Sequence, residues 1–159
     1  MKRTLACLAT LAIAAFAGAA QAQTADPIGD LISRSVPSFD SPAMRLKATL
    51  YHIGAKGVGG RDSLGCRVSP MRTLAVDPTL IPRRTIVFIK ETVGMKLPDG
   101  TVHDGRWYAS DTGGAIKGSR IDLFTGKGSG SMGQFLRAGL SRGIVSAQKV
   151  GTFKGCPPQ

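Results

Sequence analysis

"SDTGGAIKGSRIDLF", residues 110–124, sets two carboxylates, Asp111 and Asp122, on either side of a turn built from Gly113, Gly114, Lys117, Gly118 and Arg120. The whole chain has ten acidic residues against twenty-one basic ones, so two acids around one cationic turn stand out. "RIDLF" alternates as a strand does. Successive side chains of a strand point to opposite faces, so Asp122 leaves the sheet on the side away from Ile121 and Leu123. With those two in the core, Asp122 stands on a barrel wall and faces a groove. Partial burial there, and a second carboxylate nearby, both raise a carboxyl pKa. A carboxylic acid still protonated near neutral pH is what general-acid chemistry requires. The competing reading of Asp111 is structural, as an acceptor for the backbone N–H groups of Thr112–Gly114.

Outward from this stretch the pattern stays strand-like. "RLKATLYHI" (45–53) alternates, with Leu46, Ala48 and Leu50 on one face. "RTLAVD" (72–77) and "TIVFIK" (85–90) are short β-branched or apolar runs. "VGMKL" and "TVHDGRWYA" flank "PDG" (98–100), a hairpin signal in which Pro98 fixes φ and Gly100 takes φ > 0. "GIVSAQKVG" (143–151) reads as the last strand. One helix is expected between Ser131 and Arg142, where Met132, Phe135, Leu136 and Leu140 share a face, although Gly133 and Gly139 work against it. Many short strands in one small domain favour a closed barrel over an open sheet.

Residues 1–22 read as a secretory leader: Lys2 and Arg3 are followed by an apolar run from Leu5 to Ala20 and by the small-residue pattern Ala20-Gln21-Ala22. That run is short for a membrane span, so no transmembrane anchor is expected after cleavage. Residues 23–44, with Pro27, Pro37 and Pro42, read as a linker, and 45–159 as the folded domain. The expected location is exported, periplasmic or secreted. Without Lys2 and Arg3, nineteen basic residues face ten acidic ones, a formal charge of +9 on a mature chain of 137 residues. Such a surface attracts polyanions, and outside the cytoplasm these are anionic wall polymers or membrane faces. Nucleic acid is a poor candidate partner, since the full chain has nine aromatic residues. Two cysteines, Cys66 and Cys156, survive cleavage, and an even count in an exported chain predicts a disulfide between them. Closing so long a loop contributes about 4–5 kcal/mol in the chain-entropy account.

Other motifs fail on their spacing. "GGAIKGS" has the order Lys-Gly-Ser where a phosphate loop needs Gly-Lys-Ser, and "TGKGSGSMG" is explained equally by a flexible turn. "SAQK" lies in an expected strand without the partner motifs of a serine–lysine site. His52 and His103, the only histidines, come with no metal-ligand spacing, so neither a metal nor a cofactor is expected.

"RTLAVDPTLIP" followed by "SDTGGAIKGSRIDLF" resembles the 3D domain, named for three aspartates and found in MltA-type lytic transglycosylases and in small secreted proteins with a stationary-phase survival role. The likeness runs from about Lys47 to beyond Phe124. It implies a mostly-β fold, a small double-psi β-barrel with one or two short helices. It also implies that the three aspartates, Asp77, Asp111 and Asp122, form the catalytic set: Asp122 corresponds to the catalytic acid of MltA-type enzymes, and Asp111 and Asp77 tune its pKa, hold the turn or stabilise the oxocarbenium-like charge. The implied partner is the glycan strand of peptidoglycan, and the implied reaction is lytic cleavage of its MurNAc–GlcNAc β-1,4 bond. On that reading Gly113, Gly114, Lys117 and Arg120 form the substrate-binding turn, its cations meeting muramyl or stem-peptide carboxylates. MltA-type enzymes carry a second domain that forms the far wall of the cleft, and this chain has no length for one. A homodimer is one way to complete the site. The alternative is a non-catalytic barrel of expansin-like type that binds wall polysaccharide.

Overall fold

The computed structural model describes residues 41–159. Residues 1–22, read above as a leader, and nearly all of 23–44, read as a linker, lie outside the described residues. Six strands follow: β1 Met44–Ile53, β2 Thr73–Ala75, β3 Thr85–Ile89, β4 Arg106–Asp111, β5 Arg120–Lys127 and β6 Ile144–Thr152, with one helix, α1 Gly133–Arg137, before the last. The strands close into a barrel in the order β1-β5-β2-β4-β3-β6. Two neighbouring pairs are parallel, β1·β5 and β2·β4, and the remaining four are antiparallel. The fold is mostly β, a mixed six-stranded sheet closed on itself, as the sequence implies.

Alternation builds the core. On β1, Leu46 and Ala48 point inward, on β5 Ile121 and Leu123, and on β3 Val87 and Ile89, all buried in one cluster with Leu74, Trp107, Ala109 and Val145. Closing the barrel leaves no long free edge, so backbone donors and acceptors pair all the way round. At the "PDG" turn, Leu97 and Thr101 face each other, with the Leu97 N–H donating to Thr101 O at 2.9 Å and Gly100 at φ +86°. The hairpin is there as expected.

The helix is shorter than its apolar spacing predicts. A 3-10 turn, Ser129–Met132, leads into the five residues of α1, which stops at Ala138 before Gly139 at φ +70°. Gly139 takes a left-handed conformation that ends helices at little cost. Phe135 and Leu140 still reach the core, and Phe135 meets the edge of Trp107 at 6.2 Å between ring centroids. Leu136 is instead 52% exposed.

Candidate functional site

The two carboxylates of the opening stretch lie on one row across three adjacent strands. Ala75 of β2 is in register with Asp122 of β5 on one side and with Asp111 of β4 on the other. Two strand spacings put the Asp111 and Asp122 Cα atoms about 9–10 Å apart. Ala75 is the small floor between them. Asp111 reaches this row through a bulge: the register between β2 and β4 shifts between Leu74 and Ala75. Trp107 and Ala109 point into the core, so strict alternation would send Asp111 inward too. The extra residue, Ser110, flips it to the face that Asp122 occupies.

Above this row is a cleft of about 230 Å³, walled by Tyr51, Ile116 and the loop Gly57–Arg61 and floored by Ala75, Asp111 and Asp122. The two acids meet different surroundings. Asp111 accepts at both oxygens: Oδ2 from the Tyr51 hydroxyl at 2.8 Å, Oδ1 from the backbone N–H groups of Thr112 at 2.8 Å and Ser63 at 3.0 Å. Those are three donors and the setting of a carboxylate, which only accepts. Asp122 Oδ1 is buried and has no hydrogen-bond partner. Burial, aided by the Asp111 charge, pushes the Asp122 carboxyl up to about 6, against the opposing pull of the Thr49 hydroxyl and Arg120. Tyr51 is pushed up as well, by burial and then by Asp111, so its hydroxyl keeps its proton and stays a donor. One acid is saturated with donors; the other is poised to hold a proton.

Asp77 stands apart from the cleft. It is 8% exposed, and its Oδ2 accepts the Gly118 N–H at 2.7 Å while Oδ1 accepts the Thr79 N–H at 3.0 Å and hydroxyl at 2.8 Å. The Gly118 and Thr79 bonds pull its carboxyl down to about 2. Asp77 is thus a staple for the glycine-rich turn, holding Gly118 at φ +57°. Gly113 lines the cleft, and a Cβ there would lie 2.9 Å from Ile116 Cγ1, so glycine keeps that corner open. Gly114, Lys117 and Arg120 are not among the lining residues. Lys117 is exposed, and Arg120 donates from Nη1 to Ala115 O at 3.3 Å within its own turn.

Residues 72–142 match the family model of the 3D domain. The chain carries a 3D domain. The curated cell wall-binding protein YocH of Bacillus subtilis (strain 168) is 31% identical over 87 residues, which cover 53% of this chain and 26% of YocH. Among solved structures, the lytic transglycosylase LtgG of Burkholderia pseudomallei aligns at 33% identity and a TM-score of 0.42, covering 65% of this chain and 28% of LtgG. MltA of E. coli with bound chitohexaose aligns at 20% identity and a TM-score of 0.42, covering 62% of this chain and 29% of that one. The chain therefore spans less than a third of the length of each of these relatives.

Several parts of this 3D domain's cleft escaped the sequence reading. Tyr51 was legible in principle: the strand that puts Leu46, Ala48 and Leu50 on one face puts Thr49 and Tyr51 on the other, and Thr49 is in register with Asp122. The wall from Gly57 to Arg61 and the clamp from Ser63 carry no sequence pattern of their own. The Cys66–Cys156 disulfide, formed as expected across 90 residues with 5.5 Å between Cα atoms, anchors the chain just after them. Asp62 and Cys66 close the loop on themselves, the Asp62 N–H donating to Cys66 O at 2.9 Å and the Cys66 N–H to Asp62 Oδ1 at 2.8 Å. Ser63, inside that loop, also donates its hydroxyl to Ser110 O at 3.0 Å. The bridge thereby tethers the segment that clamps Asp111. His103 is structural: it accepts the Gly105 N–H at Nδ1, donates from Nε2 to Met71 O, and lies against Trp107. Among the described residues no cluster of three His, Cys, Asp or Glu is placed to hold a metal, and no helix is long and apolar enough to cross a membrane.

Proposed function

We propose that this chain is an exported lytic transglycosylase that cleaves the β-1,4 bond between N-acetylmuramic acid and N-acetylglucosamine in peptidoglycan. On this reading residues 1–22 are the leader, 23–44 the linker and 45–159 the working domain. The observation that carries it is the state of Asp122: a carboxyl in a cleft wall, one oxygen buried without a partner, raised to about 6. Ordinary glycosidases use two carboxylates, one as acid and one as nucleophile or base. Asp111, saturated by three donors, is poorly suited to either proton transfer or attack. A lytic reaction needs only one acid. The Asp122 proton goes to the leaving glycosidic oxygen as the bond to C1 breaks. The resulting carboxylate then takes the proton of the muramyl 6-hydroxyl as O6 closes on C1. The 1,6-anhydro ring forms, Asp122 regains its proton, and no water is consumed. Asp111 contributes negative charge beside the oxocarbenium-like centre and adds to the burial that raises the Asp122 carboxyl.

A wall-binding role without cleavage is the second reading, favoured by YocH, which is named a cell wall-binding protein. A cleft with one wall open to solvent suits it, and a second copy of the chain is one way to close that side for catalysis. Digestion of purified sacculi, read by mass spectrometry, separates the readings. Products ending in 1,6-anhydromuramic acid, one water lighter than hydrolysis products and absent with Asp122→Asn, support the transglycosylase. Folded protein that binds sacculi and releases nothing supports the binding module. Reducing-end sugars would mean hydrolysis and a second working carboxylate.

A further inference from the structure

We propose that the shallow depression lined by Gly60, Arg61 and Arg67 is a carboxylate subsite, taking the acidic groups that hang from a glycan strand seated in the Asp111–Asp122 cleft. This rests on the reading of that cleft as a glycan site. Arg61 lines both the cleft and the depression, so the two adjoin at this residue. The backbones of Arg61 and Arg67 pair as an antiparallel bridge, which sets the two side chains side by side on one face. Both are exposed. The Arg61 Nη1 donates to Gly65 O at 2.8 Å, which steadies the guanidinium.

Neither Arg61 nor Arg67 forms an ion pair among the described residues. Among the described residues the ion pairs are those of Arg72 and Arg106 with Asp104. The neighbouring acid, Asp62, is buried and turns Oδ1 to the N–H groups of Leu64 and Cys66. Two like charges held in register repel unless an anion lies between them, and the disulfide at Cys66 ties the loop that carries them. A guanidinium fork matches a carboxylate in two parallel hydrogen bonds. Because the depression adjoins the cleft at Arg61, the anion it takes belongs to the molecule whose sugar rings occupy that cleft. In peptidoglycan such carboxylates have two sources, the lactyl ether of muramic acid and the stem peptide.

Equilibrium binding of three saccharides tests this: a neutral N-acetylglucosamine hexasaccharide, a peptide-free peptidoglycan strand that keeps its lactyl carboxylates, and the same strand with stem peptides. The wild type is expected to bind carboxylated strands about three- to tenfold tighter than the neutral one at low salt, an advantage that shrinks as ionic strength rises. A preference already present in the peptide-free strand assigns the lactyl group; one seen only with stem peptides assigns the peptide. Arg67→Gln should reduce the preference and Arg67→Glu abolish it, with the neutral hexasaccharide bound as by wild type. These variants avoid the hydrogen bond by which Arg61 braces the loop, so the barrel and cleft wall stay intact. Equal wild-type affinity for neutral and carboxylated strands, or a parallel loss of both in Arg67→Gln, overturns the subsite. Binding does not depend on turnover. A wild type with the preference but no anhydro product keeps the subsite and ends the transglycosylase reading, and anhydro product without the preference does the reverse.

Discussion

Tyr51 and Asp111 are joined hydroxyl to carboxylate at 2.8 Å, across sixty residues of sequence and between strands that are not neighbours in the barrel. The bond explains how a carboxylate at a strand end keeps one place beside Asp122. It also explains why the Tyr51 ring lies across the cleft against Phe124, with 5.2 Å between centroids. Tyr51→Phe keeps the ring and removes the donor. The expected cost is about 1–2 kcal/mol of stability, the worth of a hydrogen bond to a charged group in a half-buried site. Urea unfolding at neutral pH measures it. An unchanged midpoint would mean that water replaces the hydroxyl without loss.

How far the sequence carries is visible at these residues. The strands announce themselves because one face of each enters a single core, which imposes alternation on Leu46, Ala48, Ile121 and Leu123. Asp122 follows from the same rule, lying between two core residues. Asp111 does not, because its face depends on one extra residue at the bulge, and a bulge is a pairing event that no local pattern records. The cations of the turn, Lys117 and Arg120, are adjacent to the acids in sequence, yet the turn stapled by Asp77 leaves them off the cleft wall. Arg61 takes a place on that wall through a distant loop held by a disulfide. The helix is shorter than its apolar spacing implies because that spacing marks a face and Gly139 marks the end.

Asp77 should act on acid stability. Its folded carboxyl sits at about 2, below the ordinary 3.8. A depressed carboxyl stabilises the fold above its unfolded pKa, and that contribution fades as pH falls from about 4 toward 2. Asp77→Asn is therefore expected to lower stability at pH 7 and to lose less than wild type on acidification to pH 2. The local signature is hydrogen exchange at the Gly118 amide, which should speed up in the variant. Unchanged protection there would remove Asp77 from its role as the staple.

Reducing the disulfide should weaken the cleft before it unfolds the barrel. The bridge closes a span of 90 residues, worth about 4–5 kcal/mol in the chain-entropy account. The paired variant Cys66→Ser/Cys156→Ser should melt well below the native protein and lose saccharide binding at temperatures where its strands still persist by circular dichroism. Intact-mass measurement under alkylation should find no free thiol from this pair in the native protein. Binding retained after reduction would show that the Ser63 and Arg83 contacts hold the wall by themselves, Arg83 Nη1 donating to Ser63 O at 3.3 Å.

Asp122 gives the opposite pH signature from Asp77, and the two together separate chemistry from scaffolding. Its folded carboxyl lies at about 6, above the ordinary 3.8. A raised carboxyl binds its proton more tightly in the folded state, so the stability it lends is complete below about pH 4 and is lost as pH rises through 6. The difference between the two values corresponds to at most about 3 kcal/mol, and partial contact with solvent reduces it to about 1–2. Asp122→Asn has no proton to lose, so it should match wild type near pH 4 and exceed it by that amount at pH 8, as read from urea midpoints at both values. On the transglycosylase reading, where Asp122 must enter the reaction protonated, kcat/KM should fall tenfold per unit above about pH 6. Asp122→Asn should lose activity by at least the 10²–10⁴-fold typical of general acid–base assistance. A variant more stable at pH 8, inactive at every pH and still bound to sacculi is the expected result. A wild-type rate that stays flat from pH 5 to 8 would take the proton, and with it the catalytic assignment, away from Asp122.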